Sequence, residues 1–226
     1  MRGGETEEYP EEGSAMKHIL VGLIALLIIA GASSAHAESI VVTFDDLLTP
    51  EISLWHFGYI PSTYAGLVWS PTGQRAGWDV GYWPDYLGIF GNHYNTPSMN
   101  NFAYNGDGIV ATYIDGSPFN YVGGYFSTWA ENDQRASFGS ETITINGYSG
   151  NVLVGTRTWT LSANHFDWLE ADFVNVTRLE FLNDGNSYRF WMMDNLTYVP
   201  TPEPASLLLL GTGLTGLMLA GWRMKK

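Results

Sequence analysis

Residues 39–198 are built from short runs of β-branched and aromatic residues, broken by Gly, Asn, Asp and Pro, and no long helical repeat of apolar positions interrupts them. Such runs are typical of β-strands. In Glu141–Tyr148 polar and apolar residues alternate, as in an antiparallel strand with one buried face. Roughly nine to eleven such runs at short spacing, without a strand–helix–strand pattern, predict an all-β fold, an antiparallel β-sandwich.

Turn residues divide this pattern into predicted elements. The Asn105–Gly108 turn predicts a hairpin between the runs on either side of it, and a Ser-Gly-Asn turn joins Glu141–Tyr148 to Val152–Leu161. The run Ile52–Phe57 fits either a strand or a short helix. Pro71–Tyr86 is rich in Gly and Pro and is predicted to be irregular. The remaining predicted strands are Ser39–Phe44, Leu67–Ser70, Leu87–Phe90, Phe119–Trp129, Phe166–Phe173, Thr177–Leu182 and Ser187–Tyr198.

The N-terminal pattern differs from that of the strands. Residues 1–15 carry five glutamates and precede a second methionine, so we expect the natural start at Met16. Residues 16–37 then read as a secretory signal helix, with a positive charge at Lys17, an apolar stretch and small residues, Ala35 and Ala37, before the expected cleavage site. This segment predicts export through the Sec translocon and leaves residues 38–198 as one domain.

The C-terminal segment 199–226 has three parts. A Pro-Glu-Pro box is followed by 18 apolar or small residues, 205–222, which as a helix would span roughly 27 Å, close to the ~30 Å hydrocarbon core of a bilayer. A basic end follows, which is expected to stay in the cytoplasm and to leave the domain outside. The box and the basic end comprise Pro202, Glu203, Pro204, Arg223, Lys225 and Lys226.

This ending resembles the PEP-CTERM sorting signal of Gram-negative bacteria. The resemblance implies recognition and processing by an exosortase. The protein would be held by a single transmembrane helix on the outer, periplasmic face of the inner membrane and then reach the cell surface or extracellular matrix. The alternative is an ordinary single-span membrane anchor.

Composition restricts the chemistry of the domain. Residues 38–198 contain 17 acidic residues, five arginines and no lysine, a net charge of −12. A domain surface with this much negative charge repels nucleic acid and anionic lipid. The chain has no cysteine, which excludes disulfides, thiolate metal sites and a cysteine nucleophile. Stability must therefore come from burial, to which the many aromatic residues can contribute.

Several short motifs carry a second resemblance. They are FDDL at 44–47, the spaced set Tyr64, Gly66, Leu67 and Trp69, GGYFSTW at 123–129 with TITINGY at 142–148, and DNLTY at 194–198. Together they resemble the β-sandwich domains that precede PEP-CTERM anchors and, in turn, jelly-roll carbohydrate-binding modules of the galactose-binding type. The resemblance implies that the first strand, 39–44, lies beside the last, 188–198.

The same resemblance implies a structural calcium site. Such modules often hold calcium between an acidic residue near the first strand and an aspartate on the last, which here points to Asp45 and Asp194, with Asp46 as a substitute. Calcium takes six to eight oxygen ligands, so carboxylates suit it. The alternative is that these aspartates cap turns or accept hydrogen bonds from backbone N–H groups.

The aromatic side chains of the Pro71–Tyr86 segment suggest a sugar-binding surface. Exposed aromatic rings can stack on the apolar face of a pyranose, and large exposed aromatics usually mark a binding surface. The alternative is that they plug one open end of the sandwich. The candidate stacking residues are Trp78, Tyr82, Trp83 and Tyr86.

Catalysis has less support in the sequence. A glycosidase needs two carboxylates about 5–10 Å apart, but on a strand Asp167 and Glu170 would face opposite sides. The histidines at 56, 93 and 165 lack the pairing of a zinc site. We therefore expect a non-catalytic protein that associates with extracellular polysaccharide. The alternatives are a matrix or biofilm component with no defined ligand, and a polysaccharide hydrolase or lyase that depends on Asp167 or Glu170.

Overall fold

The computed structural model describes residues 37–52, 55–71, 77–90, 94–131, 134–135, 137–201 and 213. Residues Ala37–Thr201 form one compact unit. The predicted N-terminal extension, nearly all of the signal peptide including Ala35, and the sorting signal beyond Thr201 lie outside the described residues, apart from Gly213. The description below therefore concerns the domain alone.

The domain is built from β-strands with one short helix in the described ranges. The elements are β1 (Ile40–Val42), β2 (Glu51–Ile52), β3 (Trp55–Tyr59), β4 (Thr63–Tyr64), β5 (Leu67–Ser70), β6 (Gly77–Tyr82), α1 (Trp83–Phe90), β7 (Asn101–Gly106), β8 (Ala111–Thr128), β9 (Ala130–Glu131), β10 (Gln134–Arg135), β11 (Thr142–Ser149), β12 (Val152–Thr160), β13 (Asp167–Leu182) and β14 (Trp191–Pro200).

Antiparallel pairing arranges these strands into two layers. The main hydrogen-bonded order is β12-β11-β13-β8-β14-β7-β6-β3-β2, with β1 beside β14 and β5 beside β8. The long strands β8 and β13 contribute to both layers. Their halves at Ala111–Asp115 and Arg178–Leu182 pair with β5 and β11, whereas the other half of β8 pairs with β14. The fold is thus the predicted mainly antiparallel β-sandwich.

Bulges let β13 pass from one layer to the other. Its register against β8 shifts three times between Glu170 and Arg178. Asp172 and Asn175 have φ values of 52° and 56° there, the left-handed region that short polar side chains tolerate. A bulge adds an unpaired residue and bends its strand, so a single 16-residue strand can serve both layers.

Aromatic residues fill the space between the layers. Trp78 of β6 is fully buried, and its ring centroid lies 4.9 Å from that of Trp69 on β5 and 5.3 Å from that of Phe181 on β13. Both pairs are edge-to-face, the geometry that aromatic quadrupoles favour. The indole Nε1 of Trp78 donates to the carbonyl oxygen of Tyr113 at 2.9 Å, so its polar group is satisfied.

Helix α1 gives one layer a second buried face. On β7, Ala103 points into the main core, while Phe102 packs with Trp83 and Tyr86 of α1. Met192 of β14 and Phe166 belong to the same second cluster. The outer face of β6, β7 and β14 is therefore covered, and these strands are buried on both sides.

From residue 77 onward, the segment Pro71–Tyr86 does not have the predicted irregular structure; residues 72–76 lie outside the described residues. From residue 77 it forms β6 and then the first turn of α1, and the predicted strand Leu87–Phe90 is the remainder of that helix. The start of α1 has a local signal, since Pro84 suits the first helical turn and Asp85 is favourable near a helix N-terminus. Glycine and proline predict a break in the strand pattern, but packing against both sides of β6 outweighs their low strand propensity.

The predicted hairpin at Asn105–Gly108 is wrong in its pairing. The turn exists, with φ of 52° at Asp107 and 58° at Gly108, yet β7 and β8 do not pair, because β14 lies between them. The hairpin of β11 and β12 is confirmed. So is the adjacency of the terminal strands, in which Ile40 pairs with Tyr198 and Val42 with Leu196. For Ile52–Phe57, the described part is strand.

Candidate functional site

The outer face of the second layer is open and polar. Strand register aligns Thr156, Asn146, Glu180, Tyr113 and Ser70 across β12, β11, β13, β8 and β5. The next row on this face is Leu153, Tyr148, Arg178, Asp115 and Val68. Because alternate residues of a strand share a face, both rows point away from the core. We call this surface the open face.

A cleft of about 320 Å³ lies on the open face, lined by Tyr113, Tyr148, Gly150, Asn151, Arg178 and Glu180. Hydrogen bonds fix its polar groups. One carboxylate oxygen of Glu180 accepts from Asn146 Nδ2 at 2.8 Å and from the Tyr148 hydroxyl at 3.0 Å. Arg178 Nε donates to Asp115 Oδ1 at 2.7 Å. The cleft therefore presents two tyrosine rings beside a charged network that is already oriented.

The two tyrosine hydroxyls stay neutral and Arg178 stays charged at ordinary pH. Burial, and then the Glu180 carboxylate, raise the pKa of both Tyr113 and Tyr148. The hydrogen bond from Arg178 to Asp115 raises the pKa of the guanidinium. Arg178 also lies over the Tyr113 ring, 5.8 Å from its centroid, a cation–π distance. Neutral tyrosine hydroxyls, a guanidinium and a carboxylate together can donate to and accept from a ligand's hydroxyl groups.

Sequence reasoning did not single out these residues. Arg178 and Glu180 alternate with Leu179 and Phe181, which is the pattern of a half-buried strand. This alternation is the sequence signal that could have indicated the two charged residues. The pattern assigns both charged residues to one face of a strand. It does not say which other strands lie beside that face, so the two tyrosines could not be added from the sequence.

The predicted aspartates are close to one another but face a protein loop. Asp194 is fully buried on β14. Its carboxylate accepts from the Ser98 backbone N–H at 2.8 Å, from the Ser98 hydroxyl at 2.9 and 3.0 Å, and from the Asn195 N–H at 2.7 Å. Burial raises the pKa of Asp194 to about 7, although the hydrogen bonds from Ser98 oppose that rise. Asp194 therefore anchors the loop before β7.

Asp45 holds the same loop from the other side. Its Oδ1 accepts from the N–H groups of Asn100 and Asn101, each at 3.0 Å. Asn101 Nδ2 donates to the carbonyl oxygens of Phe44 and Leu47, also at 3.0 Å. Asp46 is bonded to the Tyr64 hydroxyl instead. Asp45 and Asp194 therefore accept hydrogen bonds from backbone N–H groups, as the alternative to a calcium site predicts.

Calcium at this place stays a prediction. The carboxylates of Asp45 and Asp194 and the nearby carbonyl oxygens are the kind of ligand that calcium takes. In the structure, however, N–H and O–H donors occupy oxygens of both carboxylates and both carbonyl oxygens. Within the described ranges, no three residues among His, Cys, Asp and Glu are grouped as a metal site. These oxygen atoms are of the type that calcium binds, but in the structure they accept hydrogen bonds that hold the loop before β7.

The predicted sugar-stacking residues are not an exposed group. Trp78, Trp83 and Tyr86 are at most 2% exposed, and Tyr82 is half-buried. Trp78 fills the main core, while Trp83 and Tyr86 fix α1 to the sheet, with ring centroids 4.7 Å apart. The expectation of exposed rings is wrong for these three residues, because apolar area is removed from water wherever two elements meet. A buried ring presents no face to a sugar.

His165 belongs to a local group of polar side chains. His165 Nε2 lies 2.9 Å from Asp167 Oδ1, and its Nδ1 lies 3.1 Å from the Ser162 hydroxyl. The Ser162 oxygen also accepts from the Asn164 N–H at 3.2 Å, so these residues form one local group at the start of β13. Asp167 and Glu170, the candidates for a hydrolase, are a half-buried and an exposed residue of β13.

Comparison with solved structures gives only distant likenesses. The K1 cleaved adhesin domain of Lys-gingipain from Porphyromonas gingivalis W83 is 12% identical, with a TM-score of 0.43 over 73% of this chain and 99% of that chain. The Stig cyclase Fisc from Fischerella sp. TAU is 10% identical, with a TM-score of 0.39 over 73% and 100%. TmCBM61 bound to β-1,4-galactotriose is 8% identical, with a TM-score of 0.28 over 70% and 94%.

These values are too low to assign a ligand or an activity. No curated protein matches the chain in sequence. Among the described residues no helix is long and apolar enough to cross a membrane, and the predicted span 205–222 lies outside them, apart from Gly213. Residues 200–226, in contrast, match the PEP-CTERM protein-sorting motif. The chain is thus a β-sandwich domain followed by a PEP-CTERM signal, which implies exosortase processing and sorting to the cell surface.

Proposed function

We propose that this protein is a non-catalytic, exported module that binds extracellular polysaccharide through the open face. The carrying observation is the cleft, in which Tyr113 and Tyr148 flank the hydrogen-bonded side chains of Arg178 and Glu180. Small-ligand sites combine aromatic walls with a few oriented polar groups. A sugar offers the matching chemistry, an apolar ring face and a rim of hydroxyls.

The shape of the cleft favours a chain over a single sugar. It lies on a sheet face rather than in a closed cavity, and its two rows of polar side chains cross five strands. Thr144 and Thr158, whose hydroxyls are 2.8 Å apart, continue the polar surface beyond it. An extended polymer can follow such a surface and add contacts along its length. Arg178 also permits a uronic acid carboxylate among the sugars recognised.

The sorting signal is consistent with this role. The Sec translocon and an exosortase would be the partners during export. The protein would stand first on the outer face of the inner membrane and then at the cell surface or in the matrix, where exopolysaccharide is present. Its strongly acidic surface disfavours nucleic acid as a partner.

The test is retention by insoluble exopolysaccharides and mobility in polysaccharide-containing native gels. Tyr148→Ala is expected to weaken binding about tenfold, since it removes one aromatic wall and a hydrogen bond to Glu180. Tyr188→Ala is the matched control, because Tyr188 is 70% exposed and does not line the cleft. Equal loss in both variants would argue against the cleft.

The same samples separate the alternatives. A matrix component with no defined ligand would be retained by none of the polysaccharides, with or without the tyrosine. A hydrolase or lyase would release reducing ends or unsaturated products, and Asp167→Asn or Glu170→Gln would stop the release. We expect no product from the wild-type protein.

A further inference from the structure

The second layer of the sandwich ends in an edge strand, β12. It is the last strand of the hydrogen-bonded order and pairs with β11 on one side, and no strand in the described part of the chain pairs with its other side. Seven of its nine residues are exposed. Natural sheets protect a long edge with lysine, proline or an inward-pointing charge, because free N–H and C=O groups can pair with another chain. β12 contains no lysine, proline, aspartate or glutamate.

Two hydrogen bonds show which backbone groups of β12 face outward. The N–H of Leu161, the residue after the strand, donates to the Glu141 carbonyl oxygen at 3.0 Å and so points toward the β11 side. This direction alternates from one residue to the next along an antiparallel strand. The Thr156 carbonyl oxygen agrees, because it accepts from Nη1 of the Arg157 side chain at 3.1 Å. The residues that face outward are three exposed threonines, Thr156, Thr158 and Thr160.

The two ends of this edge differ in regularity. Between Gly147 and Tyr148 the register of β11 against β12 shifts, opposite residues 153–155. Such a bulge twists an edge away from a partner strand. The Arg157 side chain folds back on its own domain, with its guanidinium carbon 5.9 Å from the centroid of the Phe173 ring. A carbonyl oxygen can accept two hydrogen bonds, so Arg157 does not close the edge. The regular stretch 156–160 therefore stays available for pairing.

Charge indicates what can pair with this edge. Residues 142–166 contain no aspartate or glutamate, although the domain has 17 acidic residues, and their only lysine or arginine is Arg157. Two copies of the domain repel each other over most of their surface, but at this edge the hairpin brings no carboxylate toward another. Glu180 lies two strands away, about 10 Å, which exceeds the Debye length in physiological salt. A basic partner would find no carboxylate on β12 and would meet Arg157 instead.

From these observations we infer that two copies of this protein associate through β12, in antiparallel orientation about a two-fold axis at Thr158. The outward residues are symmetric about Thr158, so Thr158 of each copy faces its equivalent and Thr156 faces Thr160. Each of these pairs exchanges two N–H···O bonds. Arg157 then lies opposite Trp159 rather than opposite a second arginine, which avoids a like-charge pair. Paired side chains share a face, so the open faces of both copies form one continuous surface.

Disulfide trapping tests this register, because the chain has no cysteine of its own. In the proposed pair the two Thr158 Cα atoms are about 5.5 Å apart, within the range that a disulfide spans. Thr158→Cys in the full chain, kept in an uncharged polyoxyethylene detergent and mildly oxidised, is expected to form a covalent dimer. Thr144→Cys is the matched control: its hydroxyl is bonded to that of Thr158, but it lies one strand further in. Its two copies would be about 14 Å apart, too far for a disulfide.

The outcomes of the trapping are distinct. A dimer of Thr158→Cys without a dimer of Thr144→Cys supports the inference. Equal cross-linking of the two variants would indicate random collision, and no cross-linking of Thr158→Cys would exclude the register. Either result would overturn the inference.

Sedimentation velocity of the cysteine-free chain tests the association itself. A short edge contact buries little area, so we expect an apparent Kd of about 10–100 μM. Thr158→Pro removes an N–H that makes no bond to β11 and is expected to abolish the dimer, as edge prolines do. Thr158→Val keeps that N–H and is expected to retain it. No dimer of the wild type up to about 1 mM would overturn the inference.

A further variant guards against misfolding. If Thr158→Pro lowers the melting temperature, Thr158→Lys decides the question, because it keeps the backbone N–H and sets two like charges opposite each other. A dimer that survives in Thr158→Lys would come from another contact and would overturn the inference.

The association is measured without polysaccharide, so it is independent of the proposed function. Tyr148→Ala is expected to lose polysaccharide binding and to keep the dimer. If no polysaccharide is retained while Thr158→Cys still cross-links, the proposed function fails and the inference stands. If the dimer is absent while polysaccharide is retained, the inference alone fails.

Discussion

The two outer faces of the sandwich have opposite characters. One face, on β6, β7 and β14, is covered by α1 and an aromatic cluster that includes Trp83 and Tyr86. The other, the open face, carries Tyr148, Arg178 and Glu180 in a polar cleft. Both regions contain aromatic and acidic residues. Composition therefore does not distinguish a buried face from an open face; what differs is whether another element packs on it.

The largest expected effect separates the two faces by stability. Trp83→Ala should lower the free energy of unfolding by about 3–5 kcal/mol, because Trp83 is 1% exposed and packs against Tyr86, Phe102 and Phe166. Tyr148→Ala on the open face should cost about 1 kcal/mol or less. Denaturant unfolding of both variants measures this, and similar losses would refute the distinction.

The second prediction concerns the carboxylate buried on the covered layer. Because the folded-state pKa of Asp194 is raised from 3.8 to about 7, the folded protein binds this proton more tightly than the unfolded chain does. The contribution of the protonated Asp194 carboxyl group to the free energy of unfolding is fully present below about pH 4. It is lost as the pH rises to about 7, a change of a few kcal/mol. In the presence of a chelator, the melting temperature of the wild type should fall between pH 4 and pH 7, and that of Asp194→Asn should fall less. Equal slopes would contradict the assignment.

Calcium can be tested in the same melts at pH 7. If the predicted site at Asp45 and Asp194 binds the ion, saturating calcium should raise the melting temperature of the wild type, because a ligand of the folded state stabilises it. Asp194→Asn should abolish the rise, whereas Asp46→Asn should retain it, since Asp46 is bonded to Tyr64. A wild-type melting curve unchanged by calcium would contradict the predicted calcium site.

The fourth prediction tests the open face as a charged surface. Glu180→Gln should weaken polysaccharide binding several-fold, about 1 kcal/mol, because the amide is a poorer acceptor for Tyr148, Asn146 and sugar hydroxyls. Gel-retardation constants measure the effect. Thermal stability should hardly change, because this surface is hydrated; a large fall in melting temperature would indicate a structural carboxylate instead.

The smallest expected effect compares hydroxyl groups on the two faces. The Tyr86 hydroxyl is buried and bonds to the backbone of Ala130, whose N–H donates to it at 2.6 Å. Tyr86→Phe should therefore cost about 1 kcal/mol, since it leaves a buried donor without its acceptor. Thr158→Val, which removes a hydroxyl from the open face, should change stability by about 0.5 kcal/mol or less. Equal costs would mean that the open face is not hydrated.

Local pattern predicted some of this structure and missed other parts for a common reason. The hairpin of β11 and β12 followed from alternation and a Ser-Gly-Asn turn, both local signals. The pairing of β7 with β14 did not, because it joins residues about 90 positions apart. The same applies to Trp78 and Trp83: their sequence neighbours suggest a loop, and their burial depends on partners far along the chain, Phe181 for Trp78 and Phe166 for Trp83.

The sequence by itself determined the fold class of the domain, because its strands are separated by turn residues. It also determined how the protein is sorted, through the PEP-CTERM motif at residues 200–226. These features depend on periodicity and on residue order within a short segment. Only the tertiary structure decided which face is open and which aspartates hold a loop. Those outcomes depend on long-range pairing, above all of β8, β13 and β14, and on the removal of apolar area from water wherever two elements meet.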